Sequence, residues 1–289
     1  MRVLLTIPHY FSPTAEDRRH GATADSASFR RSALQNCILS LHQSLGRPQC
    51  VMQIRDRKTD TANSSLTSLL HIVLCTVGRQ HLLQDIPVES SLWQHHQVDG
   101  DPTQLGFEAR NVLRDRWGSY DWYGYLEDDL LLHDPWFLQK LDWFISQTGE
   151  EAVLLPNRFE RGNGTLATKA YVDGDLAEHL TADFQNIKDV PVVSGTALGH
   201  QVRFRRPLNP HSGCYFLSAA QMDFWMKQPK FSSRDTSFIG PLESAATLSL
   251  MRCFRIYKPD RSVASFLEIE HAGSRFISQL RRPESTDHT

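Results

Sequence analysis

The sequence predicts an α/β protein with a mainly parallel central sheet flanked by helices, continued into a loop-rich C-terminal half. Three observations carry this expectation. Apolar runs such as "RVLLTIP" (Arg2 to Pro8) and "LLHIVLCTV" (Leu69 to Val77) are continuous rather than alternating, as strands buried on both faces require. Segments with apolar residues at three- and four-residue spacing separate them, the period of a helix packed on one face. The two patterns alternate as far as about Asn157, which is the order of βαβ units.

Each element has its own reason. Arg2 to Pro8 is a β-branched and leucine run stopped by proline, and His9 to Ser26 is polar and turn-rich, hence a loop. Leu34, Cys37, Ile38, Leu41 and Leu45 stripe the next helix, which stops at Gly46. After a Ser/Thr-rich loop comes the strand at Leu69. "LGFEARNVLRDRWGSYD" is a polar-faced helix feeding the strand "WYGYLEDD". Pro135 opens a helix with Phe137, Leu138, Leu141, Phe144 and Ile145 on one face, and "EAVLLPN" returns as a strand. From Arg158 the pattern loosens into turn formers and bases, and the expectation is one continuing sheet with long loops around a pocket.

Composition narrows the classes. The chain has 289 residues, 40% hydrophobic and 22% charged, enough for one large domain. A formal net charge of -2 without long runs of one sign does not point to nucleic acid as a partner. Cys37, Cys50, Cys75, Cys214 and Cys253 are scattered without a Cys-x-x-Cys pair, which favours reduced, buried thiols. Only a short apolar run precedes Pro8, and no segment approaches the length of a membrane span. The expected address is the cytoplasm, with peripheral membrane contact left open. Two sequons, at Asn63 and Asn163, read as exposed loops.

The stretch that bears on chemistry is "YGYLEDDLLLHDPWF". Glu127, Asp128 and Asp129 stand together where a hydrophobic strand ends. Adjacent carboxylates repel, so each must be solvated or paired. Strand alternation would send Glu127 and Asp129 to one side and Asp128 to the other. Ligands of open α/β sheets bind beyond the carboxyl ends of the strands. Two carboxylates there can hold Mg²⁺ or Mn²⁺ beside a diphosphate. Taken alone, the triplet is more simply read as capping the following helix or facing solvent.

The wider block "EARNVLRDRWGSYDWYGYLEDDLLLHDPWFL" resembles the central part of GT-A glycosyltransferases, particularly the large GT2-like group. The matching elements are Ala109-Arg110-Asn111, Gly118 to Asp121, Glu127-Asp128-Asp129 and His133-Asp134-Pro135. This sequence departs from the usual Asp-x-Asp by carrying Glu at the first position. The resemblance implies a GT-A, Rossmann-like domain with a nucleotide-sugar-binding half (1–157) and an acceptor-binding half (158–289). It implies a UDP- or GDP-sugar donor held by Pro8, His9, Tyr10, Arg110 and Asp128, and a metal on Asp129 with Glu127 nearby. An ion pair of Arg110 with Asp115 or Glu108 is the plainer reading of that residue.

Two downstream features extend the resemblance. Glu243 stands in the first turn of a helix opened by Pro241, where an acid suits the helix dipole. The family places at such a helix start the carboxylate that deprotonates an acceptor hydroxyl, with Asp235 as the reserve candidate here. His271, in "FLEIEHAGSRF", matches the late histidine that completes a metal shell, and Arg275 a base on the diphosphate. Arg203, Arg205 and Arg206 read as loop charge or as contacts for an acidic acceptor.

The implied activity is metal-dependent sugar transfer to a hydroxyl acceptor, a saccharide or a lipid-linked alcohol, by a hexosyl- or related transferase. "TIPHYFSPTAED" lacks the glycine-rich basic loop of sugar nucleotidyltransferases, and the thirteen histidines show no phosphoesterase grouping. The competing reading is a GT-A-like nucleotide-sugar binding protein without catalysis.

Overall fold

The computed structural model describes residues 1–13, 26–164 and 166–280. Most of the loop expected between His9 and Ser26, and Thr165 of the second sequon, lie outside the described residues. In chain order the strands are β1 (Arg2–Pro8), β2 (Cys50–Gln53), β3 (Lys58–Thr61), β4 (Leu69–Val77), β5 (Gln94–Val98), β6 (Trp122–Leu126), β7 (Leu130–Leu131) and β8 (Ala152–Leu154). Then follow β9 (Asn157–Arg161), β10 (Lys169–Tyr171), β11 (Val192–Ala197), β12 (His200–Arg205), β13 (Cys214–Ser218), β14 (Arg255–Pro259) and β15 (Glu268–His271). The main helices are α1 (Ala27–Leu45), α2 (Leu105–Asp115), α3 (Phe137–Thr148) and α4 (Ala219–Met226).

The central sheet has the order β13-β6-β1-β4-β5. β6, β1, β4 and β5 run parallel, and β13 closes one edge antiparallel to β6. β1 shows why its run is continuous. Val3, Leu5 and Ile7 pack on one face with Leu34 and Leu41 of α1, while Leu4 faces Val112 and Leu113 of α2 on the other. Burying each such side chain contributes roughly 1.5–3 kcal/mol.

The second half departs from expectation. Only β13 extends the central sheet. β10-β9-β15-β7 and β11-β12-β14-β8 form two further sheets. The strand at "EAVLLPN" shrinks to three buried residues and pairs in parallel with β14, because so short an apolar segment suits any sheet edge. β5 was not foreseen, since "QHHQV" has no apolar face, and neither was the exposed β2–β3 hairpin. Gly46 ends α1 in extended backbone, not the left-handed conformation. Glycine is needed there because a Cβ would lie 2.7 Å from the His42 carbonyl oxygen. α3 starts at Phe137, with Asp134 rather than Pro135 making the entry turn through the Trp136 amide.

All five cysteines are free, and Cys37, Cys75 and Cys214 are buried as expected, whereas Cys50 is exposed. Among the described residues no helix is long and apolar enough to cross a membrane.

Candidate active site at the carboxyl end of the central sheet

β6 ends at Leu126 and the chain turns at once, so strand alternation does not govern the three acids. The Glu127 amide donates to the Gly213 carbonyl at 2.9 Å, and the three side chains diverge to different partners.

Asp128 turns back toward β1. Its Oδ2 accepts from His9 Nδ1 at 2.5 Å, and Arg30 Nη2 of α1 lies 2.5 and 2.6 Å from its two oxygens. His9 Nε2 accepts from the Leu82 amide at 3.1 Å, so Nδ1 carries the proton. Burial opposes the charge on Asp128, yet Arg30 and His9 hold its carboxyl below the ordinary value. His9 has no exposed surface and both ring nitrogens are engaged. His9 and Asp128, both expected at the donor, bond each other here and, with Arg30, tie β1 and α1 to β6.

Asp129 takes a contact from Arg30 Nη1 at 3.3 Å and faces His271 Nε2 at 3.7 Å. His271 arrives from β15, and the Ala272 amide donates to the Asp129 carbonyl at 2.8 Å. The other ring nitrogen, Nδ1, lies 2.9 Å from Oε1 of Glu160, which has no exposed surface. Glu160 Oε2 accepts from the amides of Phe276 and Ile277, each at 2.8 Å. Glu160 thus takes the Nδ1 proton and leaves Nε2 with its lone pair turned to Asp129, the arrangement that orients metal-binding imidazoles. Asp129 Oδ1 is buried without a hydrogen-bond partner among the described residues. A cation at this point would relieve both. Among the described residues no third His, Cys, Asp or Glu side chain joins the pair as a ready-made cage.

Glu127 points elsewhere. Arg158 Nη1 lies 3.5 Å from Oε2 and His211 Nε2 3.5 Å from Oε1. Burial pushes its carboxyl up to about 8 against the pull of Arg158, and the charges of Asp129, Glu243 and Asp128 add to the rise. Behind it stands a buried network absent from the sequence reading. Asp173 Oδ1 accepts from Arg158 Nη2 at 2.7 Å, and Lys258 Nζ lies 3.1 Å from Oδ2. Burial drives His211 well below its ordinary value, and nearby Arg158 works in the same direction.

The remaining candidates spread around this centre. Glu243 occupies the last position of the short helix Pro241–Glu243, and a π-helix, Ser244–Leu248, follows it directly. Such insertions are frequent at functional sites. Glu243 Oε2 is buried without a hydrogen-bond partner among the described residues. Asp235 instead bonds Arg252 at 2.8 Å and the Ser237 amide, and these bonds draw its pKa down to about 2, leaving a weak proton acceptor.

Arg110 pairs with neither Asp115 nor Glu108. It is buried, donates to the Ser233 carbonyl at 2.7 Å and stacks near Phe107, Trp225 and Phe231. Its Nε and Nη1 are buried without hydrogen-bond partners among the described residues. Pro8 is buried at the end of β1, Tyr10 is half-buried, and Arg275 is exposed beyond His271. A cavity of about 450 Å³, lined among others by Phe184, Arg206, Phe224, Arg252 and Arg255, contains none of these residues.

No family model matches the sequence, and no curated protein does. Among solved structures the chain is similar to S. aureus TarS 1-349, at 9% identity and TM-score 0.46 over 96% of this chain and 62% of that one. It is similar to GalNAc-T7 with UDP, GalNAc and Mn²⁺, at 12% identity and TM-score 0.47 over 93% and 43%. A third is glucosyl-3-phosphoglycerate synthase from Mycobacterium tuberculosis, in complex with Mn²⁺, UDP-glucose and phosphoglyceric acid. It gives 14% identity and TM-score 0.42 over 98% and 73%. The chain spans about three fifths of the first of these proteins and less than half of the second. The chain's own fold is mixed α/β, with a mostly parallel central sheet whose carboxyl edge carries the acidic turn.

Proposed function

We propose that this chain transfers a sugar from a nucleotide-diphosphate donor, a UDP- or GDP-sugar, to a hydroxyl acceptor. The observation that carries this reading is the pair Asp129–His271, with the imidazole turned by buried Glu160 at the end of β6. Asp129 is the ligand that the resemblance of the Glu108–Leu138 block implies, and His271 the one implied by the later segment "FLEIEHAGSRF".

Asp129 and His271 would hold Mn²⁺ or Mg²⁺, Mn²⁺ suiting an imidazole better, with Glu127 close behind. Bound there, the ion neutralises charge growing on a departing nucleoside diphosphate. Arg30 shares Asp129 and Asp128 and holds the Asp128 carboxyl below its ordinary value. Glu243 serves as the base that takes the acceptor hydroxyl proton if configuration inverts. Its Oε2, buried without a hydrogen-bond partner among the described residues, is the atom that would take that proton. Arg275, exposed beside His271, is the cation for the diphosphate.

Calorimetric titration of UDP, GDP and their sugars, with and without Mn²⁺, tests the reading. Expected are Mn²⁺-dependent binding of one nucleotide and slow hydrolysis of its sugar, both lost in Asp129→Ala. Tight binding without Mn²⁺ and without turnover would instead favour a nucleotide-sugar binding protein. Absence of any nucleotide binding would overturn both readings.

A further inference from the structure

The acids after β6 are backed by two buried cations, Arg158 and Lys258, whose only close carboxylate besides Glu127, among the described residues, is Asp173. The side chains of Asp173 and Lys258 are 4% and 3% exposed. Asp173 grips Arg158 by two nitrogens, Nε at 3.0 Å and Nη2 at 2.7 Å, which leaves Nη1 aimed at Glu127 Oε2. Its other oxygen fixes Lys258, and Lys258 Nζ donates to the His211 carbonyl at 2.5 Å. The His211 ring, steadied by Thr247 Oγ1 at 3.1 Å from Nδ1, presents Nε2 to Glu127 Oε1. Two arms leave one aspartate and come to 3.5 Å from the two oxygens of one glutamate, whose Oε1 has no hydrogen-bond partner among the described residues.

We infer that Asp173 is a positioning residue: through Arg158 and through Lys258–His211 it sets the orientation of Glu127, and thereby the affinity of the site for a metal-bound nucleoside diphosphate. The inference rests on the proposed donor site. A buried ion pair by itself is weak evidence of function, since its desolvation offsets much of its attraction. What singles this one out is direction. The strong bonds go to Asp173, and each arm keeps one remaining nitrogen for Glu127. Gly213 leaves the room for that carboxylate, since a Cβ there would lie 2.6 Å from Glu127 Oε2.

The test is a double-mutant cycle read by calorimetry of UDP in the presence of Mn²⁺. Asp173→Asn is expected to weaken UDP binding by about tenfold, the scale of outer-shell partners, and to have less than about a twofold effect once Glu127→Gln is present. Equal losses in both backgrounds, or no loss in the native one, overturn the inference. Arg158→Lys provides a second entry to the cycle if Asp173→Asn fails to fold. It keeps the charge, but its single ammonium cannot grip Asp173 and face Glu127 together, so the same non-additivity is expected. A wild-type chain that binds no UDP with Mn²⁺ overturns the donor site and this inference together. Binding with additive variants overturns this inference alone.

Discussion

His271 and Asp129 meet at 3.7 Å, Nε2 to Oδ2, with the far side of the imidazole tied to a glutamate that has no exposed surface. Glu160 accepts from His271 and from two backbone amides, so its carboxylate is needed as an acceptor on both oxygens. Glu160→Gln turns one oxygen into a donor. The expected result is a loss of Mn²⁺ affinity of about 10- to 100-fold, read by the free-ion signal in electron paramagnetic resonance. Unchanged affinity would remove His271 from the ion's shell.

Glu243→Gln separates a base from a helix cap. As a base, its loss lowers turnover of the nucleotide sugar by about 10²–10⁴-fold while UDP affinity holds. As a cap, its loss costs only about 0.3–1 kcal/mol of stability and leaves turnover intact. Steady-state kinetics beside a urea melt distinguishes the two.

Gly213 has φ +63°, a conformation that side chains other than glycine adopt at a cost, and it abuts Glu127. Gly213→Ala is expected to destabilise the fold by about 1–3 kcal/mol. Urea unfolding measures this, and adding Glu127→Ala should recover part of the loss by vacating the space a Cβ needs. No recovery would mean the cost lies in the backbone alone.

Two buried carboxyls give opposite pH dependences. Burial would raise Asp173, but Lys258 and Arg158 outweigh it and hold its carboxyl far below the ordinary value of 3.8. Its stabilisation is therefore present above that value and is lost as pH falls below it. Glu127 is raised from 4.5 to about 8, so the folded state keeps its proton longer and loses stability as pH rises across that window. Glu127→Gln should leave the melting temperature near pH 4 almost unchanged and raise it above pH 8, in metal-free buffer. Melting curves that shift in parallel at every pH would contradict this.

What could be read from the chain was local. β1, β4 and α1 to α3 announce themselves because their apolar residues recur within a few positions of one another. β5 escaped because Gln94 to Val98 carries amides and imidazoles at a sheet edge. Asp129 and His271 were named through the resemblance, and the structure brings them to 3.7 Å. Glu160 was not: in "NRFER" it looks like a solvent-facing strand residue, and only the amides of Phe276 and Ile277 reveal its role. Arg158 and Asp173 meet across the antiparallel β9–β10 pair, which the turn-rich sequence after Arg158 did not announce, and Lys258 joins them from β14. His9 and Arg110 were placed at the donor through the resemblance, and their enclosure by partners from elsewhere in the chain had no local signal.

The acidic triplet offers three separable handles to an engineer. Asp128 fastens strand to helix through His9 and Arg30, so it belongs to the frame and should be left alone. On the proposed reading, Asp129 is the position whose exchange would retune ion preference. Glu127, which faces Arg158 and abuts Gly213, is on the same reading the position at which the donor pocket would be reshaped. An inactive descendant would keep Asp128 for folding alone, so a surviving acid after β6 is no certificate of catalysis.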